Sequence, residues 1–142
     1  MAEDVGCKDC HTQVEESEEM TDDILKQACI NCHDDDPAYG KMVDEWRKDV
    51  ESLDIQNLKK QLRQVQKSVL LAIRNGDYTY DAQDLINNAD KNLKQLLKGN
   101  PIHNLEFSKD LASKVKTLTE KAHKQLQRNR TIKTLSDRSY KY

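Results

Sequence analysis

Apolar side chains recur at helical spacing along the chain from residue 41 onward. The first series comprises Val43, Trp46, Val50, Leu53, Leu58, Leu62, Val65, Val69 and Ala72. Spacings of three and four residues place these side chains on one face of an α-helix, with a skip in the pattern near residues 54–57. The series ends at Asn75-Gly76, and glycine is typical of the position just past a helix end. The pattern predicts a first helix about 50 Å long.

The same periodicity predicts two further helices. The second runs from about residue 79 to residue 98 and ends at Gly99, because Pro101 prevents simple continuation. Its inward side chains are predicted to be Ala82, Leu85, Ile86, Ala89, Leu93, Leu96 and Leu97. The third begins near Asn104, a favourable N-cap residue. Its inward side chains are predicted to be Leu111, Val115, Leu118, Ala122 and Leu126.

The predicted fold class is all-α: a loop-rich head followed by a bundle of long antiparallel helices. Residues 1–40 show little periodicity and form the head, residues 41–128 form the bundle, and residues 129–142 are expected to be a flexible tail. Four glycines and two prolines among 142 residues favour helices over sheet. At this length, head and bundle are expected to form one structural domain.

The head contains two copies of one five-residue pattern, CKDCH and CINCH. The residues concerned are Cys7, Cys10 and His11, and Cys29, Cys32 and His33. The overall spacing, C-x2-C-x18-C-x2-C, is compatible with a four-cysteine zinc site, although zinc knuckles favour glycine where this chain has histidine. Disulfides or thioredoxin-type redox thiols are a second alternative, but no strand precedes the first pair.

The histidine after each cysteine pair favours a third interpretation, because C-x-x-C-H is the pattern of c-type haem attachment. Two thiols add across the vinyl groups of one porphyrin, and the next imidazole reaches the iron. The covalent bonds would retain a large apolar group on a chain with only 36% hydrophobic residues. The doubled pattern therefore predicts two covalently attached c-type haems. The first is held by Cys7 and Cys10 with His11 on iron, and the second by Cys29 and Cys32 with His33.

A six-coordinate haem needs a second axial ligand, and two histidines remain, His103 and His123. His103 lies between a helix end and a helix start, whereas His123 lies at the edge of the apolar stripe of the third helix. On a continuous helix the two are about 30 Å apart. Both can therefore act within one chain only if the irons are well separated. Otherwise the helix is broken, or a ligand comes from a neighbouring protomer.

Other side chains compete for a place near haem. Met20 lies between the two cysteine motifs, where a loop could bring its thioether to an iron, and Met42 is more simply a packing residue. Trp46, Tyr78 and Tyr80 could stack against a porphyrin edge, but they fit the bundle core better.

The stretch from CHDDDPAYGKMVDEW to NLKQLLKGNPIHNLEFSKDL resembles the C-terminal module of periplasmic multihaem c-type cytochromes. These include nitrite-reductase-like and other cytochromes of bacterial respiration. Their closing pattern is Lys-Gly, a short spacer, His-Asn, an aromatic residue and a helix; GNPIHN is a spaced variant, and only two haem motifs occur. The resemblance covers roughly residues 29–120 and implies that His103 is a distal haem ligand. It also implies a periplasmic or extracytoplasmic location, although no signal peptide is visible in the first residues.

Charge is segregated along the chain, although the net charge is only −2. Residues 1–36 carry a net charge of −10 and residues 103–142 a net charge of +6. The overall acidity argues against a nucleic-acid partner, and no apolar run is long enough to predict a membrane span. The asymmetry suits solvated faces, head-to-tail contacts in a homo-oligomer, or steering of a charged redox partner.

Two haems with histidine on both sides predict an electron carrier between a redox protein donor and an acceptor, not an enzyme. If His123 does not bind iron, one haem has an open position, which predicts a haem-based small-molecule sensor or redox enzyme. A third alternative is a two-haem assembly module whose ligands are shared between protomers.

Overall fold

The computed structural model describes Gly6 and residues 21–99, 101–102 and 104–139. All secondary-structure elements in these residues are helices: α1 (Asp22–Cys32), α2 (Pro37–Ser52), α3 (Ile55–Arg74), α4 (Tyr80–Lys98) and α5 (Leu105–Ser139). The predicted all-α class is thereby confirmed. The chain divides into two compact units, Met1–Val50 and Glu51–Tyr142.

The described part of the head is helical, whereas the sequence predicts loops there. Thr21 is the N-cap of α1, and its hydroxyl accepts a hydrogen bond from the backbone N–H of Ile24 at 3.3 Å. Asp22 and Asp23 occupy the first turn, where carboxylates interact favourably with the helix dipole. These N-terminal signals stabilise a helix whose apolar pattern is weak. Within residues 21–40, the prediction of a loop-rich head is therefore wrong.

Helices α1 and α2 pack as a hairpin. Lys26 forms an ion pair with Asp44 at 2.5 Å, and Arg47 forms another with Asp22. Gly40 allows close approach of the two helices, because a Cβ atom added there would lie 3.0 Å from Cδ1 of Ile30. Two ion pairs and one close approach at Gly40 therefore connect the two helices.

The long first helix predicted from residue 41 is broken at residues 53–54. α2 ends at Ser52 and α3 begins at Ile55. Asp54 between them has a φ of 45°, in the left-handed region, and its side chain accepts a hydrogen bond from the N–H of Asn57 at 3.3 Å. Asp54 therefore caps a new helix, and the skip in the apolar pattern marks the break.

The second unit is an antiparallel bundle of α3, α4 and α5. Its buried core contains Leu58, Leu62, Val65, Val69, Ala72, Ala82, Ile86, Ala89, Leu93, Leu96, Leu111, Ala112, Val115, Ala122 and Leu126. Asn57 and Lys109 line one groove, so α3 and α5 start at the same end of the bundle. At the other end, Lys133 donates a hydrogen bond to the carbonyl of Asn75. α3 and α5 are therefore parallel, and α4 runs opposite to both.

α5 continues to Ser139, although the sequence predicts a loose tail after residue 128. Lys133 donates hydrogen bonds to the carbonyl of Asn75 at 2.7 Å and to the carboxylate of Asp77 at 2.8 Å. Asn129 donates to the carbonyl of Tyr78 at 2.8 Å. These contacts with the α3–α4 turn stabilise an extension of α5 whose apolar side chains, such as Ile132, are exposed.

Candidate haem-attachment site

The second C-x-x-C-H pattern lies at the C-terminal end of α1. Cys29 and Cys32 are three residues apart in its last turn, so both thiols lie on the same side of the helix. Both are present as thiols and not in a disulfide; Cys29 is half-buried and Cys32 is exposed. The two neighbouring thiols have the chemistry that thioether attachment to one porphyrin requires.

His33 follows directly as the C-cap of α1. Its backbone N–H donates hydrogen bonds to the carbonyls of Cys29 at 3.2 Å and Ile30 at 3.1 Å. The imidazole is exposed, and within the described part of the chain no hydrogen bond to either ring nitrogen is found. The structure therefore brings the three predicted residues of this motif together at one helix end.

A tight turn then reverses the chain into α2. Asp34 and Asp35 have φ values of 53° and 60°, in the left-handed region that Asp tolerates better than most residues. The N–H of Asp35 donates to the carbonyl of Ile30 at 3.0 Å. The side chain of Asp36 accepts from the N–H of Ala38 at 2.9 Å, which caps the start of α2. These hydrogen bonds connect the turn to the end of α1 and to the start of α2.

The turn returns an aromatic ring to His33. The ring of Tyr39, in the first turn of α2, stacks on the imidazole with centroids 3.7 Å apart and planes 3° from parallel. Sequence reasoning missed Tyr39. The signal was its position six residues after His33, as the nearest Phe, Trp or Tyr residue in the sequence.

The setting of these thiols disfavours a thioredoxin-type redox pair. In such proteins the reactive cysteine lies near the N-terminus of a helix, where backbone N–H groups and the helix dipole favour the thiolate. Cys29 and Cys32 instead lie at the carbonyl end of α1. Lys26, one turn before Cys29 and Ile30, is paired with Asp44, and the hydrogen bond to Asp44 raises the pKa of the Lys26 ammonium group.

His123 lies in the second unit, on α5. Its side chain is exposed next to the fully buried Ala122, so its predicted position at the edge of the apolar stripe is confirmed. The amide of Gln127 donates a hydrogen bond to Nε2 of His123 at 3.0 Å. Binding of iron by this nitrogen would require the Gln127 amide to move away.

Five of the predicted residues lie outside the described part of the chain: Cys7, Cys10, His11, Met20 and His103. In the described ranges, no group of three or more His, Cys, Asp or Glu side chains is arranged to hold a metal ion.

The predicted burial of the tyrosine pair is wrong. Tyr78 is 61% exposed and Tyr80 is 73% exposed, so neither belongs to the bundle core. Met42 is also exposed, although it was expected to pack, whereas Trp46 is half-buried.

No protein-family model, curated protein or solved structure matches this chain. In the described residues, no helix has an apolar stretch long enough to cross a bilayer.

Proposed function

We propose that this chain is a di-haem c-type cytochrome that transfers electrons. The observation that carries the proposal is the arrangement at the end of α1: two thiols on one helical turn, followed by an exposed imidazole. Cys29 and Cys32 would hold one haem covalently, with His33 as its axial ligand. The same residue types in the same order at Cys7, Cys10 and His11 support a second haem.

The side chains around the site would set its redox behaviour. A c-type haem held in this way takes up or releases one electron as its iron changes between ferrous and ferric states. Histidine as second ligand, from His103 and His123, would leave no open coordination position and would favour a lower potential than methionine. The exposed carboxylates of Asp34, Asp35 and Asp36 follow His33 directly. Their negative charge would favour the ferric state, which carries one more positive charge.

The partners of such a protein are a redox protein donor and a redox protein acceptor. Covalent haem attachment takes place outside the cytoplasm in the family that the sequence resembles, so we propose a periplasmic or extracytoplasmic location. The acidic residues 1–36 and the basic residues 103–142 would steer partners of opposite charge, an effect that salt weakens.

The full chain produced together with a cytochrome c maturation system is expected to carry two haems. Its mass under denaturing conditions should exceed the mass of the polypeptide by two haem groups, because thioether bonds survive unfolding. Its absorption spectrum should be that of low-spin haem. A colourless protein of bare polypeptide mass that releases zinc in acid would contradict the proposal and support a four-cysteine zinc site.

A second function, binding of a small molecule at one haem, is favoured by the contact between His123 and Gln127. That contact occupies Nε2 of His123 with a hydrogen bond from the same helix. If His123 does not reach an iron, one haem has an open position for a ligand such as nitric oxide.

Replacing His123 with alanine separates the two functions. If His123 is a ligand, the reduced wild-type protein should not bind carbon monoxide, whereas His123→Ala should bind it at one of its two haems. Gln127→Ala is the matched control and should behave as the wild type. Binding of carbon monoxide at one haem of the wild type, with no increase in His123→Ala, would contradict the role of His123 and favour the sensor or enzyme. A simultaneous loss of oligomer in His123→Ala would identify the ligand as one shared between protomers.

A further inference from the structure

Tyr39 is the only aromatic side chain that stacks on a candidate iron ligand in the described residues. Its ring lies nearly parallel to the His33 imidazole, with centroids 3.7 Å apart, so it covers one face of that ring. The other described histidine, His123, has a hydrogen-bonding amide as its neighbour instead. The two candidate ligands therefore differ in how their imidazoles are held.

The backbone fixes the position of the stack. The N–H of Asp36 donates to the carbonyl of His33 at 3.0 Å, and the N–H of Tyr39 donates to the carbonyl of Asp36 at 3.3 Å. Two consecutive hydrogen bonds thus connect the two stacked residues. These hydrogen bonds keep the backbones of His33 and Tyr39 close to each other, even if one of the rings rotates out of the stack.

Contacts between α2 and α1 also restrict the position of Tyr39. Gly40, next to Tyr39, is buried and approaches Ile30 of α1. Further along α2, the ion pairs from Asp44 to Lys26 and from Arg47 to Asp22 hold the helices together. Tyr39 therefore lies on a helix that contacts α1 directly, next to the buried Gly40.

We infer that Tyr39 is a positioning residue for His33: its ring fixes the orientation of the imidazole that binds the iron of the second haem. This inference rests on the proposed function. Orientation of an axial ligand by a neighbouring group is one of the means by which a protein tunes a bound metal. An imidazole covered on one face cannot rotate freely about its bond to the metal. Loss of the stack would allow several orientations and would ease dissociation of His33.

The test compares three variants of the full chain matured with haem. Tyr39→Leu removes the ring, Tyr39→Phe keeps it without the hydroxyl, and Tyr80→Leu removes an exposed tyrosine of the second unit as a control. Electron paramagnetic resonance of the oxidised protein reports the orientation of axial ligand planes, and intact mass counts the haems. Far-ultraviolet circular dichroism verifies that helix content is retained.

With two haems attached, Tyr39→Leu is expected to broaden or shift one of the two low-spin signals. Tyr39→Phe and Tyr80→Leu should both give the wild-type spectrum. An unchanged spectrum in Tyr39→Leu would overturn the positioning role and leave the cytochrome proposal intact. If the intact mass of the wild-type protein shows that the second haem is missing, the cytochrome proposal is overturned, and the positioning role with it.

Nuclear magnetic resonance of the haem-free chain gives an independent measurement if Tyr39→Leu matures poorly. In the stack, the ring current of Tyr39 should displace the carbon-bound protons of the His33 imidazole upfield. Tyr39→Leu should abolish this displacement and Tyr39→Phe should retain it. Identical His33 shifts in wild type and Tyr39→Leu would overturn the inference without reference to haem.

Discussion

Replacing both Cys29 and Cys32 with serine is expected to remove one of the two haems and to leave the other attached. A serine hydroxyl does not form the thioether bond that a thiol forms with a porphyrin vinyl group. The substitution should perturb the fold little, because Cys32 is exposed and Cys29 only half-buried. Intact mass should fall by one haem group, and haem absorbance per chain should fall to about half of its wild-type value.

The pattern across variants distinguishes haem from zinc. The reciprocal variant, Cys7→Ser with Cys10→Ser, should retain the haem at the second motif. Asn31→Ser, between Cys29 and Cys32 and exposed like Cys32, is the matched control and should keep both haems. A single four-cysteine zinc site predicts a different result, since either double substitution would abolish the whole site. Loss of both haems from each double variant would contradict two independent attachment sites.

The bundle could be predicted from sequence because its helices are amphipathic over several turns. Periodicity identified its core closely, and the hydrogen bond from the N–H of Phe107 to the side chain of Asn104 confirms the predicted N-cap of α5. The break at Asp54 was visible only as a skip. Its cause, a left-handed residue that caps a new helix, depends on one backbone conformation that periodicity does not report.

The elements that sequence reasoning missed are held by polar contacts. α1 depends on its Thr21 cap and on ion pairs with α2, so its apolar pattern alone predicted loops. The extension of α5 depends on Lys133 and Asn129, which reach a turn more than fifty residues earlier in the chain. Contacts of this kind join residues far apart in sequence, and a periodic pattern contains no information about them.

The sequence predicts which residues of the candidate site could bind haem, but it does not predict the side chains around them. The C-x-x-C-H pattern identifies Cys29, Cys32 and His33 from spacing alone. The stacking of Tyr39 on His33 follows from the left-handed conformations of Asp34 and Asp35, which no motif encodes. For Tyr78 and Tyr80, aromatic character predicts a place in the core, but Tyr78 lies just before α4 and Tyr80 is its first residue, and both are exposed.

Leu96→Ala is expected to lower the free energy of unfolding by about 2–5 kcal/mol, whereas Leu97→Ala should change it by no more than about 0.5 kcal/mol. The sequence pattern assigned both leucines to the core. Adjacent residues of a helix are rotated by about 100°, so both can face the same core only if the apolar stripe is wide. Leu96 is 1% exposed among the side chains of the three-helix core, and Leu97 is 45% exposed.

Urea denaturation followed by helical circular dichroism measures both variants under the same conditions. The pair is closely matched, because residue type, helix and replacement are identical and only burial differs. The large loss at Leu96 has two sources: the apolar surface no longer removed from water and the cavity that α3 and α5 cannot fill. Since both contributions are much smaller at the largely exposed Leu97, equal losses at the two positions would contradict the orientation of α4 in the bundle. A haem-loaded sample of each variant should retain both haems, because the proposed thioether bonds are covalent and both attachment motifs precede the bundle in the sequence.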